Sequence, residues 1–306
     1  MKTMVIGYGS IGTRHARVLK ELGCDVTVVS RREIGFDKRY KTIEEAVSAE
    51  SPEYTVIANR TNEHKDAIKE LSRAGFEGKV LVEKPLFMSG SELPRNGFNS
   101  IFVGYNLRFH PLMRRLKELL SSERVVSAHA YAGKYLPQWR PETDYTKSYS
   151  AVRAAGGGVL RDLSHEIDLL NWMVGPCRRL TASGGHLSHL GIDSDDVFSL
   201  IMEMDRAEVA TVQMNYVDRI VHRLIIVNTD ERTFKADLLT GKLYVDEREE
   251  EYQVDRDYTF AGEHMAVLKS PGEESAFLCR EAEGIEVMKI IDAAEKASKE
   301  KVWVEI

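Results

Sequence analysis

Short apolar segments alternate with amphipathic ones through the first third of the sequence, and this alternation limits the fold more than any other feature. The runs TMVI, DVTVVS, YTVIAN, KVLVE and SIFVGY have the length of buried strands, whereas TRHARVLKELG and EHKDAIKELSRAG have helical apolar spacing. Such alternation favours parallel strands joined by right-handed crossovers, with helices on both faces of the sheet. The pattern predicts an α/β, doubly wound domain; a sheet of this class without a cofactor is the alternative.

Three glycines follow the first predicted strand. Gly7, Gly9 and Gly12 form the pattern Gly-x-Gly-x-x-Gly and open the first predicted helix. Gly7 permits a tight turn, Gly9 lets a pyrophosphate approach the backbone, and Gly12 allows close packing of the helix on the strand. Together with Ser10 and Ile11, they predict a dinucleotide site in preference to a structural turn.

The end of the second predicted strand bears on the choice of dinucleotide. Enzymes that prefer NAD carry an acidic residue there, whereas this sequence has Ser30, followed by Arg31 and Arg32. Ser30 can donate to a 2'-phosphate, and the two arginines can pair with its charge. We predict NADP(H), with NAD(H) as the alternative; in that case both arginines are solvated surface charges.

From about Arg124 the pattern changes to longer strand-like runs separated by turns, which predicts antiparallel strands. One helix is expected at LSHEIDLLNWMVG, and a last helix precedes a terminal strand in VWVEI. The acidic run VDEREEEYQVDRD is interpreted as a solvated strand pair or loop. We predict a dinucleotide-binding domain over 1–122 and a substrate-binding and oligomerisation domain over 123–306, whose last helix is a candidate to pack back on the first.

Composition narrows the partners and the compartment. The formal net charge of -6 argues against nucleic acid and anionic membrane surfaces, and favours a small-molecule ligand. The cysteines Cys24, Cys177 and Cys279 fit neither a disulfide framework nor a metal site. No apolar run reaches the roughly 18 residues of a membrane helix, and the N-terminus lacks a signal peptide's apolar core. We predict a cytoplasmic protein.

Glu83-Lys84-Pro85, in VLVEKPL, lies where the carboxyl end of a parallel strand would open onto the cofactor crevice. With the glycine loop, VGYNLRFHP and GGGVLRDLSHEIDLLNWMVG, it resembles the Gfo/Idh/MocA family of glucose-fructose oxidoreductases and inositol dehydrogenases over nearly the whole chain. The resemblance implies an N-terminal Rossmann domain and a C-terminal α/β domain with a large, open, mostly antiparallel sheet that often forms subunit interfaces. It also implies an active site in the cleft between the domains.

The resemblance assigns roles to single residues. Lys84 would hydrogen-bond the reacting hydroxyl or carbonyl of the substrate and also the nicotinamide ribose of the cofactor, and Pro85 would follow a cis peptide bond. The family's helix histidine falls on His165 and its preceding aspartate on Asp162, although this step is one residue shorter than in many members; Asp168 keeps its spacing and would be a structural partner. Both Lys84 and His165 suit proton transfer near neutral pH, and their order stays open.

Further candidates lie on the expected dinucleotide wall and beside the cleft. The family's Thr-Pro after a strand is replaced by ANRTNEH. Cofactor-binding candidates here are Asn59, Arg60, Thr61, His64, Glu83 and Asn106, of which Asn106 could instead touch the substrate. Arg108 is a substrate-binding candidate or a tie between the domains.

The segment YLPQWRPETDYTKSYSAVRAAGGG has the composition of a sugar-binding loop, because aromatic faces stack on pyranose rings and Arg or Ser donates to hydroxyls. The alternative is an ordered surface loop with aromatic anchors in the core. The substrate-binding candidates are Tyr135, Trp139, Arg140, Tyr145 and Tyr149. No metal site is predicted, because the segment that contains His186, His189, Asp193 and Asp195 is interpreted as a turn.

The sequence therefore predicts an NADP(H)-dependent oxidoreductase acting on a hydroxyl or keto group of a sugar, polyol or nucleotide sugar. One alternative keeps the fold and changes the substrate to a non-carbohydrate carbonyl or an unsaturated tetrapyrrole. The other is a dinucleotide-sensing regulator without turnover, against which the retention of Lys84 and His165 argues. We expect a homodimer or homotetramer formed through the open sheet face.

Overall fold

The computed structural model describes residues 1–306. The chain forms two compact units, the first from Met1–Phe109 and Arg256–Ile285, the second from His110–Asp255 and Glu286–Ile306. This division differs from the single boundary at 122/123 that the sequence predicts. The second unit begins one helix earlier, and a later segment returns to the first unit because it packs on that unit's first helix.

The first unit is built on a seven-stranded sheet. Its strands are β1 (Lys2–Ile6), β2 (Asp25–Val29), β3 (Arg39–Tyr40), β4 (Tyr54–Ile57), β5 (Lys79–Val82), β6 (Ser100–Val103) and β15 (Cys279–Arg280). Across the sheet they run β15-β6-β5-β4-β1-β2-β3, and all neighbours are parallel except β15 and β6. The order 3-2-1-4-5-6 is that of a doubly wound dinucleotide-binding sheet, so the predicted Rossmann class is confirmed.

Helices cover the sheet of the first unit. They are α1 (Ser10–Glu21), α2 (Ile43–Glu50), α3 (His64–Arg73) and α7 (Tyr258–Leu268). In α1, Ala16 and Leu19 are buried in the core with Val5 and Val28 of the adjacent strands. Burial of parallel strands on both faces explains why they appear in the sequence as continuous apolar runs.

The second unit is built on a nine-stranded sheet. Its strands are β7 (Val125–Gly133), β8 (Cys177–Gly185), β9 (Val197–Met204), β10 (Val209–Asn215), β11 (His222–Thr229), β12 (Thr233–Asp237), β13 (Lys242–Val245), β14 (Arg248–Glu251) and β16 (Val304–Glu305). They run β14-β13-β12-β11-β7-β10-β9-β8-β16 and are antiparallel except for the pair β7 and β10. The large, mostly antiparallel sheet predicted for the C-terminal part is confirmed.

One face of this sheet carries helices. The helices of the unit are α4 (Pro111–Leu120), α5 (Val159–Asp162), α6 (His165–Val174) and the part of α8 (Glu281–Glu300) from Glu286 onward. Helices α4, α5 and α6 contact the sheet. In β9 the side chains alternate, with Phe198 and Leu200 buried and Ile201 47% exposed. The outward face is therefore open at the central strands, and Val209 of β10 is equally exposed.

Most predicted elements are present. The helix at LSHEIDLLNWMVG is α6, the terminal strand is β16, and the acidic run forms β14 and its turn, paired with β13. Helices α4 and α7 and strand β8 were not predicted from the sequence. The helices of the chain are all too short or too polar to traverse a lipid bilayer.

Candidate active site

The carboxyl ends of β1, β2, β4 and β5 share one edge of the first unit's sheet, because these neighbouring strands are all parallel. Each strand end carries one predicted cofactor-binding group: the glycine loop, Ser30–Arg32, Asn59–His64 and Glu83–Lys84, in that order. The chain turns to the opposite side of β1 when it enters β4, which makes this pair the topological switch point. Ligands of doubly wound sheets bind at such a point.

Two positions of the glycine loop, Gly7 and Gly12, have no room for a side chain. Gly7 has a φ of +94°, and a Cβ atom there would lie 2.7 Å from the backbone nitrogen of Asn59. A Cβ atom on Gly12 would overlap the carbonyl of Gly7, whereas one on Gly9 would meet nothing within 4 Å. Ser10 begins α1 and is exposed, and Ile11 packs against the core. The loop is thus closed toward the protein and open above Gly9.

The residues after β2 form a polar turn beside this loop. The Ser30 hydroxyl accepts from the backbone N–H of Arg32 at 3.2 Å, and its side chain is largely buried. The exposed guanidinium of Arg32 donates to the carbonyl of Tyr8, inside the glycine loop, at 2.7 Å. Arg31 is exposed. No acidic side chain stands at the end of this strand.

The residues after β4 form a short turn of 3-10 helix, Thr61–Glu63, against the loop. The side-chain oxygen of Asn59 is buried without a hydrogen-bond partner, and Arg60 is exposed while Thr61 is buried. The ring nitrogens of His64 lie 3.0 Å from the carbonyl oxygen of Leu86 and 3.3 Å from that of Asn59. Burial lowers the pKa of His64, and a neutral ring carries one N–H, which donates to only one of these two carbonyls. His64 thereby ties this turn to the segment after β5.

Glu83 and Lys84 follow β5, and the Lys84–Pro85 bond is cis, as the resemblance implies. One carboxylate oxygen of Glu83 contacts His15 at 2.8 Å, and the other accepts from the backbone N–H of Lys84 at 3.1 Å. Burial alone would raise the pKa of Glu83, but the hydrogen bond from His15 and the charge of Lys84 outweigh it and lower that pKa. A buried carboxylate therefore stands next to Lys84.

Asn106 and Arg108 lie in a turn of 3-10 helix after β6. The amide nitrogen of Asn106 donates to the hydroxyl of Thr259 at 2.7 Å. The Arg108 guanidinium is 1% exposed and donates to Glu283 at 2.7 Å. Both partners lie in the segment that returns to the first unit, so these two residues hold that segment in place.

Asp162 and His165 end and begin two consecutive helices of the second unit, α5 and α6. His165 is buried. The hydroxyl of Tyr216 donates to a carboxylate oxygen of Asp162 at 2.6 Å. Burial, followed by the charge of Asp162, raises the pKa of Tyr216 well above its usual value, so its hydroxyl stays protonated. Asp168 is fully buried.

The aromatic residues between β7 and α5 already contact their own unit. The indole N–H of Trp139 donates to the carbonyl of Lys134 at 3.1 Å. The hydroxyl of Tyr149 donates to the carbonyl of Gly156 at 2.7 Å. The hydroxyl of Tyr145 accepts from the backbone N–H of Gly191, and the Tyr135 ring lies 3.5 Å from the guanidinium of Arg219. Arg140 is exposed. Anchoring contacts and an exposed cation coexist in this segment.

The segment from His186 to Asp196 is a turn fastened by carboxylates. A carboxylate oxygen of Asp195 accepts from the backbone N–H of Leu160, at the start of α5, at 3.0 Å. No three His, Cys, Asp or Glu side chains of the chain are grouped so that they could hold a metal ion.

Four residues next to the candidates were not found from the sequence. They are His15, His264, Tyr216 and Thr259. His15 is three residues after Gly12 and faces inward on α1, so helical spacing could have indicated it. The other three reach their partners across more than 50 residues of sequence, and no local pattern indicates them.

Two family models match the sequence. A model described as an oxidoreductase family with an NAD-binding Rossmann fold matches residues 1–96, and a model of the GFO/IDH/MocA C-terminal domain matches residues 113–232. A search of curated protein sequences found no match.

Several solved structures are similar along the whole chain. GenD2 from gentamicin A biosynthesis, in complex with NAD, has a TM-score of 0.82 and 22% identity, and the match covers 100% of this chain and 96% of that one. Levoglucosan dehydrogenase with NADH and levoglucosan has a TM-score of 0.81 and 17% identity, covering 100% and 99%. The WlbA dehydrogenase from Bordetella pertussis, with NADH and UDP-GlcNAcA, has a TM-score of 0.79 and 14% identity, covering 100% and 98%. At these identities the likeness shows a shared fold.

Proposed function

Because the chain belongs to the Gfo/Idh/MocA family of NAD-binding oxidoreductases, we propose that it transfers a hydride to or from a hydroxyl or keto carbon of a sugar, polyol or nucleotide sugar, with NADP(H) as its preferred dinucleotide. The substrate class is supported by similar structures that contain levoglucosan or UDP-GlcNAcA. Exposed Arg140 and Lys147 can donate to hydroxyls, a carboxylate or a phosphate.

The glycine loop supports a dinucleotide at this sheet edge. Open space above Gly9 allows a pyrophosphate to reach the backbone N–H groups at the start of α1. The buried, unpartnered side-chain oxygen of Asn59 is an acceptor for a donor that the protein itself does not supply. The glycine loop and Asn59 therefore fit a bound dinucleotide.

The preference for NADP(H) rests on one observation. The end of β2 carries Ser30, Arg31 and Arg32 in place of a carboxylate, and Arg32 bonds the glycine loop itself. A carboxylate there accepts from the ribose of NAD, whereas two guanidinium groups attract a 2'-phosphate. We propose Ser30 as its hydroxyl donor.

The nicotinamide, when bound, supplies or accepts the hydride. The chain handles the proton: Lys84 and His165 are the groups proposed to hold or move it at the reacting oxygen. Asp162 is proposed as the carboxylate that accompanies His165, and Tyr216 holds that carboxylate by its hydrogen bond. The oxidised nicotinamide ring carries a positive charge when bound. In a partly dry site this charge favours the neutral form of Lys84, which suits the lysine as a base.

A substrate panel with NADPH oxidation or NADP reduction as the readout tests this proposal. We expect turnover with a carbohydrate, and a loss of about 100-fold or more in kcat for Lys84→Met and for His165→Ala. Turnover confined to non-carbohydrate carbonyls would refute the substrate class. Dinucleotide binding without turnover on any substrate would favour a sensing regulator, and normal kcat in both variants would refute the proton-handling roles.

We also propose that the protein is a homodimer or homotetramer formed through the outward face of the second unit's sheet. The exposed Ile201 and Val209 on neighbouring strands support this, because exposed apolar sheet faces commonly mark interfaces.

We propose a reducing compartment such as the cytoplasm. The cysteines Cys24, Cys177 and Cys279 are all free thiols, and burial raises the pKa of Cys177 to about 12. Free cysteines are typical of compartments in which thiols stay reduced.

A further inference from the structure

A line of four buried side chains runs through the first unit from Glu83 to Tyr54. Oε1 of Glu83 lies 2.8 Å from Nε2 of His15, and Nδ1 of His15 lies 2.9 Å from Nε2 of His264. Nδ1 of His264 lies 2.9 Å from the hydroxyl of Tyr54. His15, His264 and Tyr54 are fully buried and Glu83 nearly so. Of these four, only Glu83 is among the cofactor-binding candidates, and the function proposed above assigns a role to none of them.

The hydrogen-bond partners assign a position to each proton in this line, starting from Tyr54 at the end farthest from Glu83. The Tyr54 hydroxyl has one hydrogen-bond partner, so it donates to Nδ1 of His264. His264 must then carry its proton on Nε2 and donate to Nδ1 of His15. His15 therefore carries its proton on Nε2 and donates to Glu83, which as an anion can only accept. In this arrangement each ring carries its donated proton on Nε2, and all the donors point toward Glu83.

Burial is consistent with this arrangement. Burial, followed by the charge of Glu263, raises the pKa of Tyr54 well above its usual value, and burial lowers the pKa of His264 well below its usual value. Donors that point along one line polarise one another and strengthen the last bond of the line. The titratable groups around Glu83 and this line are His15, Lys84, His64, Tyr54, His264, Glu263 and Cys24.

The line ends at the backbone of Lys84. The second oxygen of Glu83 accepts the Lys84 backbone N–H at 3.1 Å. A Cβ atom on Gly104 would approach Oε1 of Glu83 to 3.1 Å, so the glycine leaves room for this carboxylate. An anion held on one side by His15 thus fixes the chain at Lys84 on the other side, and it stands close enough for the two charges to interact.

We infer that His15 is a positioning residue for Lys84: it keeps the Glu83 carboxylate ionised and in place, and that carboxylate fixes the Lys84 backbone and favours the Lys84 ammonium. The inference rests on the proposed function for its catalytic meaning. Its test measures the Lys84 amine alone, so a failure of one is distinguishable from a failure of the other.

The test is competitive acetylation of Lys84 in the full-length protein, without dinucleotide or substrate, at about pH 6 and about pH 9. The rate, read from the Lys84 peptide by mass spectrometry, follows the neutral fraction of the amine. Glu83→Gln removes the neighbouring anion, so we expect acetylation to be about tenfold faster at pH 6. In His15→Leu the buried Glu83 loses its donor and takes up a proton more readily.

We therefore expect His15→Leu to accelerate labelling at pH 6 toward the Glu83→Gln rate, and to match the wild type at pH 9, where Glu83 is ionised again. The double variant, His15→Leu with Glu83→Gln, should be acetylated at Lys84 at the same rate as Glu83→Gln alone. Equal acceleration at both pH values would mean loosened packing only and would overturn the inference. A wild-type labelling rate of His15→Leu at pH 6 would also overturn it. So would faster labelling of the double variant, His15→Leu with Glu83→Gln, than of Glu83→Gln alone.

Two further variants separate positioning from stability. His15→Gln offers an amide N–H near the place of Nε2–H, and we expect it to restore the wild-type rate at pH 6. Thr55→Val lies beside Tyr54 in β4, and its buried hydroxyl has no partner, so we expect no change. A fast rate in His15→Gln would contradict the role of the donor.

A measurement on the unaltered protein keeps the inference testable if the His15 variants do not fold. Nitrogen-15 NMR of the histidine rings should show a proton on Nε2, and none on Nδ1, in both His15 and His264. A proton on Nδ1 of either ring would contradict the arrangement.

Discussion

At the scale of single residues, the glycines of the loop separate folding from binding. A Cβ atom at position 9 meets nothing in the protein, so Gly9→Ala should cost less than about 1 kcal/mol in stability. The same atom would occupy the space proposed for the pyrophosphate, so dinucleotide affinity should fall by about tenfold or more. Thermal unfolding and a fluorescence titration would measure the two effects.

Gly12→Ala is the matched comparison, because its Cβ atom would overlap the Gly7 carbonyl. We expect this variant to lose both stability and affinity. Unchanged dinucleotide affinity in Gly9→Ala would show that the open space above the loop is not the binding site.

Tyr216 is expected to act on turnover through Asp162. Tyr216→Phe removes the donor 2.6 Å from that carboxylate, and we predict a decrease of about tenfold in kcat with unchanged dinucleotide affinity. Tyr252→Phe is the control, since it removes a hydroxyl that donates to Glu250 at the same distance. Both variants should lose about 1 kcal/mol of stability. An unchanged kcat in Tyr216→Phe would contradict the role of Asp162.

At the scale of elements, the start of α4 predicts a pH dependence of stability. Nδ1 of His110 accepts from the N–H of Leu112 at 3.2 Å, and burial lowers the pKa of His110 to about 4. Below the unfolded pKa of about 6.5 the unfolded chain binds a proton that the folded chain does not, so stability falls until the pH reaches the folded pKa. His110 therefore contributes stability that is full at neutral pH and lost on acidification.

His110→Asn keeps a capping acceptor without titrating. Between about pH 7 and about pH 4.5, the wild type should lose about 2–3 kcal/mol more unfolding free energy than this variant. Urea denaturation at both pH values measures the difference. Parallel losses in the two proteins would show that His110 is charged or exposed in the fold.

The elements also show how far a sequence pattern reaches. The apolar strands β1, β2, β4, β5 and β6 and the amphipathic helices α1 and α3 were predictable, because they bury continuous runs or single stripes, whereas β3 has only two partly exposed residues. Helix α7 was missed because its buried face includes Glu263 and His264 while Met265 is exposed, so the sequence shows no clear apolar stripe. The candidate residues after each strand were predictable from the motifs. Tyr216, which bonds Asp162, and Thr259, which bonds Asn106, were not, because tertiary packing alone brings them into contact with these candidates.

At the scale of the whole molecule, the open sheet face predicts self-association. Sedimentation velocity should give the mass of a dimer or tetramer, and Ile201→Lys should shift the protein toward the monomer, because it buries a charge in the proposed interface. Ile220→Lys is the control, since Ile220 is 74% exposed and lies outside the strands. A wild-type monomer would contradict the proposed interface.

An NADP(H) site at the carboxyl edge of the first unit's sheet should be detected by a fluorescence titration of the protein with NADPH and, separately, NADH. We expect NADPH to bind at least about tenfold more tightly. In the double variant Arg31→Ala with Arg32→Ala, that advantage should be lost while NADH affinity is unchanged. Equal or tighter binding of NADH by the wild type would contradict the assignment of Ser30, Arg31 and Arg32, and binding of neither would contradict the site itself.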